Sequence, residues 1–348
     1  MPGQAEDLTL ELYQRRLAVS DKVTASTQRL WQGIDGNNLD SEWDKYQSQF
    51  AMQAYNGQLA SATMTNNYLT QISAIQGFDE QPYISSPDLH AGVAPDGRGL
   101  TPLLYGAVTE TKTATGAGYA LRDAMQVGAG FLAMAMKTVI ADMGRQHDMV
   151  SSLGRGYKTY VRAVSPGACS RCAVLAGTYS SAVAFPRHPN CQCIAVPMND
   201  PRRLNMRKYE NPSDYFESLT LAEQERIFTT AGSQAIRDGA DINQVVNARR
   251  GASGISYSGA IGNSTRPNSG RKLTPITIGK WPDGKPRQIF VTSEGTTKRG
   301  MYARGVRNDP TRTTSKYRLM PEQIYLEAGN DPVFARELLE RYGYIHKM

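Results

Sequence analysis

The segment that decides the fold runs from Ser165 to Pro197 and reads SPGACSRCAVLAGTYSSAVAFPRHPNCQCIAVP. It contains all four cysteines of the 348-residue chain and one of its four histidines, in the order Cys169, Cys172, His188, Cys191 and Cys193. A C-x2-C pair on a tight turn presents two thiolates to one metal ion. The second pair is separated by one residue, so an extended backbone would point both sulfurs to the same face. These five side chains predict a structural, tetrahedral Zn²⁺ site, with one candidate more than four positions require.

Three other interpretations of these residues stay open. The thiols could be buried as small apolar side chains in a packed hairpin. Two disulfides would also fit the spacing, although they require an oxidising compartment. A catalytic Cys–His pair is the third alternative, because ACSRC resembles the nucleophile region of papain-type proteases. Against it, His188 lies sixteen residues after Cys172 in the sequence, and no Asn or Asp is placed to orient it.

The same segment resembles the head-morphogenesis domain of tailed phages, the Mu F-like minor capsid proteins. The family pattern is C-x2-C-x2-L-x-G, a variable loop, and then HP-x-C-x-C ending in a proline. The matching positions here are Cys169, Cys172, Leu175, Gly177, His188, Pro189, Cys191, Cys193 and Pro197. The resemblance covers the chain from about residue 108 to its end.

Within that family, the chain looks most like the minor capsid proteins of phages that infect actinobacteria. The shared runs are YVR (160–162), IRDGADINQVVNARRG (236–251), EGTTKRG (294–300) and EQIYLEAGNDPVFARELLERYGYI (322–345). The resemblance implies a low-copy, non-enzymatic component of an oligomeric virion, inside the capsid near the portal vertex and in the host cytoplasm during assembly. It implies the portal or the major capsid protein as partners, and contact with packaged double-stranded DNA.

Composition and hydrophobic periodicity, together with the resemblance for the Mu F-like domain, divide the chain into regions. The regions expected are an N-terminal helical hairpin (1–77), a Pro/Gly-rich linker with short strands at most (78–115), the Mu F-like domain with the Cys/His module (116–200), a helical segment (201–248), a basic, loop-rich arm (249–318) and a C-terminal helical module (319–348). The fold class expected is therefore mainly α, with a small α+β Cys/His module and an irregular basic C-terminal region.

Positive charge is concentrated late in the chain. The whole sequence has 39 Lys and Arg against 32 Asp and Glu, and residues 249–318 hold fifteen of these bases but only three acids. Such an arm would bind DNA phosphates without sequence preference and with strong salt dependence. The candidate contacts are Arg249, Arg250, Arg271, Lys272, Lys298, Arg299, Arg304 and Arg307. An arm that binds only protein, or a solvated linker with a small hairpin at 286–293, is the alternative.

Motifs for enzyme chemistry are scarce. The sequence has no Walker A loop, G-x-S-x-G, H-E-x-x-H or dinucleotide fingerprint, so it predicts no catalytic and no cofactor-binding residues. Glu223-Gln224-Glu225 matches the E-x-E of ADP-ribosyltransferases, but acids are expected in the first turn of a helix. A head-maturation cysteine protease, such a transferase, and an ejected host-acting DNA-binding protein remain the alternatives. The two short helices after residue 220 resemble a helix-turn-helix only loosely.

Targeting and membrane signals are not expected either. The opening MPGQAEDLTLEL is acidic and lacks the apolar run of a secretory signal. The most apolar segment, residues 124–136, is shorter than a bilayer span and is followed by Lys137. The sequence therefore predicts no membrane contact.

Overall fold

A computed structural model describes residues 3–199, 204, 206–250, 252, 255–257, 271–273, 275–280, 284–296 and 317–345. The described chain is mainly helical and carries small antiparallel sheets, as predicted. It folds into two compact units. The first comprises the chain up to Ala168 with Leu175–Asn211, and the second is chiefly the chain from Pro212 onward.

Long helices form the first unit. They are α1 (Gln4–Gln32), α2 (Leu39–Ala62), α3 (Thr65–Gln76), α4 (Leu100–Leu104), α5 (Gly106–Gly116) and α6 (Leu121–Gly154). Residues typical of turns end α1. The chain leaves the helix at Gly33, and the Asp35 carboxylate accepts a hydrogen bond from the backbone N–H of Asn37. Helix α2 starts directly afterwards, so the two helices pack side by side.

Helix α6 is the centre of the first unit, and α1, α2 and α5 pack around it. The core buried between them includes Trp31, Phe50, Leu104, Leu132 and Ile140. Gly128 permits the close approach of α5, because a Cβ there would lie 2.1 Å from Thr111 Oγ1 and 2.7 Å from the carbonyl oxygen of Ala107.

By length and composition alone, α6 could cross a membrane, and its 34 residues extend well beyond the apolar run seen in the sequence. The core helix of a folded unit satisfies the same criteria, and half of its most apolar window is buried here. The apolar face of α6 therefore packs against other helices of the first unit.

The expected linker at 78–115 is partly wrong, because residues 100–116 are helical as α4 and α5. Pro102, one of the prolines for which the segment was expected to be a linker, lies in the first turn of α4, where a missing N–H costs no intrahelical hydrogen bond. Leu100, Leu104 and Val108 are buried and tie this segment to the core. The remaining part, residues 78–99, has only a short 3-10 turn at Pro87–Leu89 and a bridge between Val93 and Gly99.

A three-stranded antiparallel sheet follows α6. Its strands are β1 (Thr159–Ala163), β2 (Gly177–Ser180) and β3 (Ile194–Met198), in the order β2-β1-β3, so the first strand is central. Tyr160 lies opposite Tyr179 on one side and Pro197 on the other. Pro197 is tolerated because β3 is an edge strand. The four-residue helix α7 (Ser170–Ala173) lies in the connection between β1 and β2.

The second unit combines short helices with two-stranded ladders. Its helices are α8 (Pro212–Glu217), α9 (Leu221–Phe228), α10 (Thr230–Arg237), α11 (Ile242–Arg250), α12 (Pro321–Ala328) and α13 (Pro332–Arg341). Its strands pair as β4 (Ile255–Tyr257) with β5 (Arg271–Leu273), β6 (Ile276–Lys280) with β7 (Pro286–Ile289), and β8 (Val291–Thr292) with β9 (Arg318–Leu319). Helices and strands share one core that includes Val245, Val291, Met320, Ile324 and Leu338.

Two helices of this unit begin at capping residues that can be recognised in the sequence, whereas the hairpin predicted at 286–293 does not form. The Thr220 hydroxyl accepts from the N–H of Glu223, whose carboxylate accepts from the N–H of Thr220, which is a complete capping box. The Asp331 carboxylate caps α13, with Pro332 in its first turn. The hairpin expected within 286–293 is wrong, because β7 pairs with β6 and β8 pairs with β9. Only Phe290 separates β7 from β8, which leaves no room for a turn.

Candidate metal centre

The Cys/His residues lie in the two connections of the three-stranded sheet. In the first, the N–H of Cys172 donates to the carbonyl of Cys169 over 2.9 Å, so the C-x2-C pair occupies one turn at the start of α7. In the second, the N–H of Cys191 donates to the carbonyl of His188 over 3.1 Å. Asn190 makes this second turn possible by adopting φ 62°, a left-handed conformation that Asn tolerates better than most residues.

The side chains converge into two overlapping groups of potential ligands. The sulfurs of Cys172, Cys191 and Cys193 all lie within 4.8 Å of one another, and all three residues are buried. The ligand atoms of Cys169, Cys172 and His188 lie within 4.8 Å of one another as well. The Cys172 sulfur belongs to both groups. A buried cluster of three cysteines that could hold a metal ion is therefore present, and residues distant in sequence form it.

The spacing of the ligand atoms is compatible with one metal ion. With Zn–S bonds of about 2.3 Å, the sulfurs of a tetrahedral site lie roughly 3.8 Å apart, which is below the observed upper bound of 4.8 Å. The Nδ1 atom of His188 lies 2.8 Å from the carbonyl oxygen of Pro189. If Nδ1 carries the proton and donates to that carbonyl, Nε2 has its lone pair directed away as a metal ligand.

Two buried arginines surround the second cysteine pair. Arg145 on α6 donates from Nη1 to the carbonyl oxygens of Cys191 (2.9 Å) and Cys193 (3.3 Å), and Nη2 contacts the Asp142 carboxylate. Arg162 on β1 places Nη2 3.5 Å from the Cys191 sulfur and donates from Nε to the carbonyl of Pro186 over 2.9 Å.

The two arginines favour negative charge on the sulfurs of Cys191 and Cys193. Burial alone would lower the pKa of Arg145, but the Asp142 carboxylate and the sulfurs of Cys191 and Cys193 outweigh it, and its pKa is raised above the ordinary value. The guanidinium carbons of both Arg145 and Arg162 lie within 5.3 Å of the centre of the Phe185 ring. Cationic side chains thus lie beside the sulfurs.

The competing interpretations of the cysteines differ in how they fit. All four cysteines are described, and none is joined in a disulfide. His188 does lie close to Cys169 and Cys172, so its distance in the sequence is no objection to a Cys–His pair. The thiols are nevertheless buried, with Cys169 8% and Cys172 3% exposed. A cleft of about 410 Å³ beside the sheet is lined by Asp142, Arg145 and Phe185 among others, and by none of the four cysteines.

The residues suggested for DNA contact are only partly described. Arg249 Nη1 lies 2.5 Å from Glu322 Oε1, and Arg250 Nη2 lies 3.0 Å from Glu294 Oε1, so both arginines form ion pairs within their own unit. The backbones of Arg271 and Lys272 form part of β5, while their side chains lie outside the described structure. Lys298, Arg299, Arg304 and Arg307 lie outside the described residues altogether.

The sequence motifs do not predict the two arginines of the centre. Arg145 belongs to no motif and lies within α6, nine residues before its end at Gly154. Arg162 enters only as part of the YVR run. A signal was present: Arg162 stands in a strand between Val161 and Ala163, where a charged residue is unusual unless it has a buried partner.

Comparison of the chain with protein-family models, with curated proteins and with solved structures finds no match.

Proposed function

We propose that the Cys/His centre is a structural Zn²⁺ site, and that the protein is a non-enzymatic minor capsid protein of the head-morphogenesis type. The observation that supports the first part is the convergence of the Cys172, Cys191 and Cys193 sulfurs from two connections of one small sheet. The same residues occupy the positions of the motif that resembles Mu F-like proteins. The fourth ligand is Cys169 or His188, since both have a ligand atom within 4.8 Å of the Cys172 sulfur.

A structural site agrees better with this environment than a catalytic one. Structural zinc sites use four protein ligands and are closed, whereas catalytic sites keep a position for water or substrate. Here the cysteines are buried, and the backbone carbonyls beside two of them are held by Arg145. Metal binding would tie the two connections of this three-stranded sheet to each other and so contribute to its stability.

The role in the virus head rests on the resemblance and on charge. We propose that the helices of the first unit associate with the portal or the major capsid protein. We also propose that the basic region from Arg266 to Lys316 contacts phosphates of the packaged DNA. Such contacts are independent of sequence and suit a protein that meets every part of a genome.

The metal part is tested by elemental analysis of purified protein, which should find one zinc per chain. Cys172→Ser should abolish binding, because this sulfur belongs to both ligand groups. Of Cys169→Ser and His188→Gln, one should bind nearly normally and the other weakly, because only four of the five candidates can be ligands. Ser170→Ala, a change on the same turn that removes no ligand, is the matched control. Zinc-free wild-type protein with a stable fold would contradict this part.

The functional part is tested separately. Mass spectrometry of procapsids and mature virions should detect the chain at low copy number, and its absence from both would contradict the proposal. The enzymatic alternative predicts a different outcome for Cys169→Ser: a folded, zinc-containing protein in which cleavage of head proteins is lost.

A further inference from the structure

Arg162 is among the largest side chains that are completely buried in the described chain. It is 0% exposed, although guanidinium groups are almost always charged and strongly prefer water or an anion. Moving such a cation out of water is costly unless opposite charge and several acceptors replace the lost hydration. Its surroundings should therefore supply negative charge.

The contacts of Arg162 point to the sulfur cluster as that charge. Nη2 lies 3.5 Å from Cys191 Sγ, Nε is held by the Pro186 carbonyl at 2.9 Å, and the guanidinium carbon lies 5.2 Å from the centre of the Phe185 ring. The carbonyl and the ring fix the plane of the guanidinium, so its N–H groups have little freedom to turn away from the sulfur. One Zn²⁺ with three thiolates carries a net charge of −1, or −2 where Cys169 is the fourth ligand, and an arginine beside the cluster offsets one of these charges.

We propose that Arg162 is a positioning residue of the metal centre: its guanidinium donates a charged hydrogen bond to the Cys191 thiolate and neutralises the excess negative charge of the metal–thiolate cluster. This inference rests on the proposed zinc site and assigns a role to a residue that is not a ligand. Replacing a side chain that holds a metal ligand in place commonly lowers the metal affinity about 10- to 100-fold.

The second unit provides a matched control. Arg318 is also 0% exposed, donates to the carbonyls of Tyr342 (2.6 Å) and Gly343 (3.1 Å), and lies over the Tyr344 ring at 3.7 Å. It is thus held by carbonyls and a ring, as Arg162 is, but its described contacts include no sulfur. Replacing Arg318 should disturb folding to a similar degree without affecting the metal.

The experiment compares the full-length wild type with Arg162→Gln, Arg162→Lys and Arg318→Gln. Zinc affinity is measured by competition with a chromogenic chelator, and folding by circular dichroism. Arg162→Gln should lower zinc affinity about 10- to 100-fold, Arg162→Lys should lower it less because the charge remains, and Arg318→Gln should leave it unchanged.

A spectroscopic readout separates this role from a general loss of stability. In Co²⁺-substituted protein, the sulfur-to-metal charge-transfer band should move to lower energy in Arg162→Gln, because an N–H···S hydrogen bond stabilises the sulfur lone pairs. It should not move in Arg318→Gln. If Arg162→Gln does not fold, Arg162→Lys decides by the same two measurements.

Wild-type zinc binding together with an unchanged affinity and spectrum in the Arg162 variants would overturn the role of Arg162 alone. A wild type that binds neither zinc nor cobalt would overturn the metal site and this inference with it.

Discussion

Arg16 and Asp148, which are 132 residues apart in the sequence, form a buried ion pair in the first unit. Nη1 and Nη2 of Arg16 lie 2.5 and 2.8 Å from the two carboxylate oxygens, and Thr65 Oγ1 donates to the same carboxylate over 2.7 Å. The Arg16 Nε also donates to the Ser61 carbonyl over 3.1 Å. The pair therefore joins α1 to α6 through a network in which each partner has further hydrogen bonds.

Breaking this pair should destabilise the protein strongly. Asp148→Asn or Arg16→Met leaves one buried charge without compensation and should lower the free energy of unfolding by about 3–5 kcal/mol. The double variant Arg16→Met/Asp148→Asn should recover part of this loss, because no buried charge remains. Urea unfolding of the four proteins in a double-mutant cycle measures the coupling. Glu11→Gln, which breaks the exposed pair with Arg15, is the control and should cost under about 1 kcal/mol. Equal losses for buried and exposed pairs would contradict this prediction.

His147 should make the protein sensitive to mild acid. Its ring is 0% exposed, and neither ring nitrogen has a hydrogen-bond partner among the described residues. Burial lowers the pKa of His147 below its usual 6.5, His90 and Arg16 lower it further, and Asp148 opposes them. The unfolded chain then binds the proton more tightly than the folded one, so stability is complete above about pH 6.5 and falls as the pH drops below it.

The size of this effect can be measured by substitution. As the pH falls below about 6.5, the wild type should lose stability through His147, because the unfolded chain takes up the proton more readily. His147→Leu should remove that part of the pH dependence, whatever its effect on stability at pH 8. Denaturant unfolding at several pH values gives the slope of the free energy of unfolding against pH for the wild type and for the variant. Equal slopes in the two proteins would show that another group is responsible.

Gly128 should not tolerate a side chain. A Cβ at this position would lie 2.1 Å from Thr111 Oγ1 and 2.7 Å from a backbone oxygen that has little freedom to move. Gly128→Ala should therefore cost about 1–3 kcal/mol by forcing α5 and α6 apart. Gly116→Ala, at the end of α5, has no atom within 4 Å of the added Cβ and should change stability by no more than about 0.5 kcal/mol. Thermal unfolding of both variants checks the difference, and a similar shift in the two would contradict it.

The proposed DNA contacts can be tested without removing part of the second unit. Truncation after Gly251 would delete Val291, Met320 and Leu338 from its core, so an absence of binding would be ambiguous. Replacing Lys298, Arg299, Arg304 and Arg307 with Gln together removes the charge alone. The slope of log affinity against log salt should fall in magnitude by up to about 0.9 for each phosphate that the variant no longer neutralises.

The ion-paired arginines supply the control for that experiment. Arg249→Gln/Arg250→Gln removes charges that Glu322 and Glu294 already compensate, so it should change the salt dependence less. DNA binding measured by fluorescence anisotropy over a range of salt concentrations distinguishes the two variants. An unchanged slope in the fourfold variant would show that these bases do not contact phosphate.

What could be predicted from the sequence depended on how local the signal was. The capping box of Thr220 and Glu223 and the cap at Asp331 act within one turn of the helices that they begin, so short sequence patterns are enough to place them. The clustering of cysteines in sequence also indicated that their sulfurs converge. By contrast, the buried Arg16–Asp148 pair and the contact between Arg162 and Cys191 join distant segments, and no local pattern marks them. Pro102 misled because the same residue type begins a helix or breaks one, depending on its position.

Arg145 connects the sulfur centre to α6, a helix that contains none of the candidate metal ligands. Its guanidinium is anchored on α6 and holds the backbone carbonyls of Cys191 and Cys193. If the proposed zinc is bound, removing it with a chelator should loosen those cysteines. Amide protons of α6 around Arg145 should then exchange faster with deuterated solvent, while those at its distant N-terminal end keep their rates. The supply of metal during synthesis would then influence how firmly the main helix of the first unit is packed.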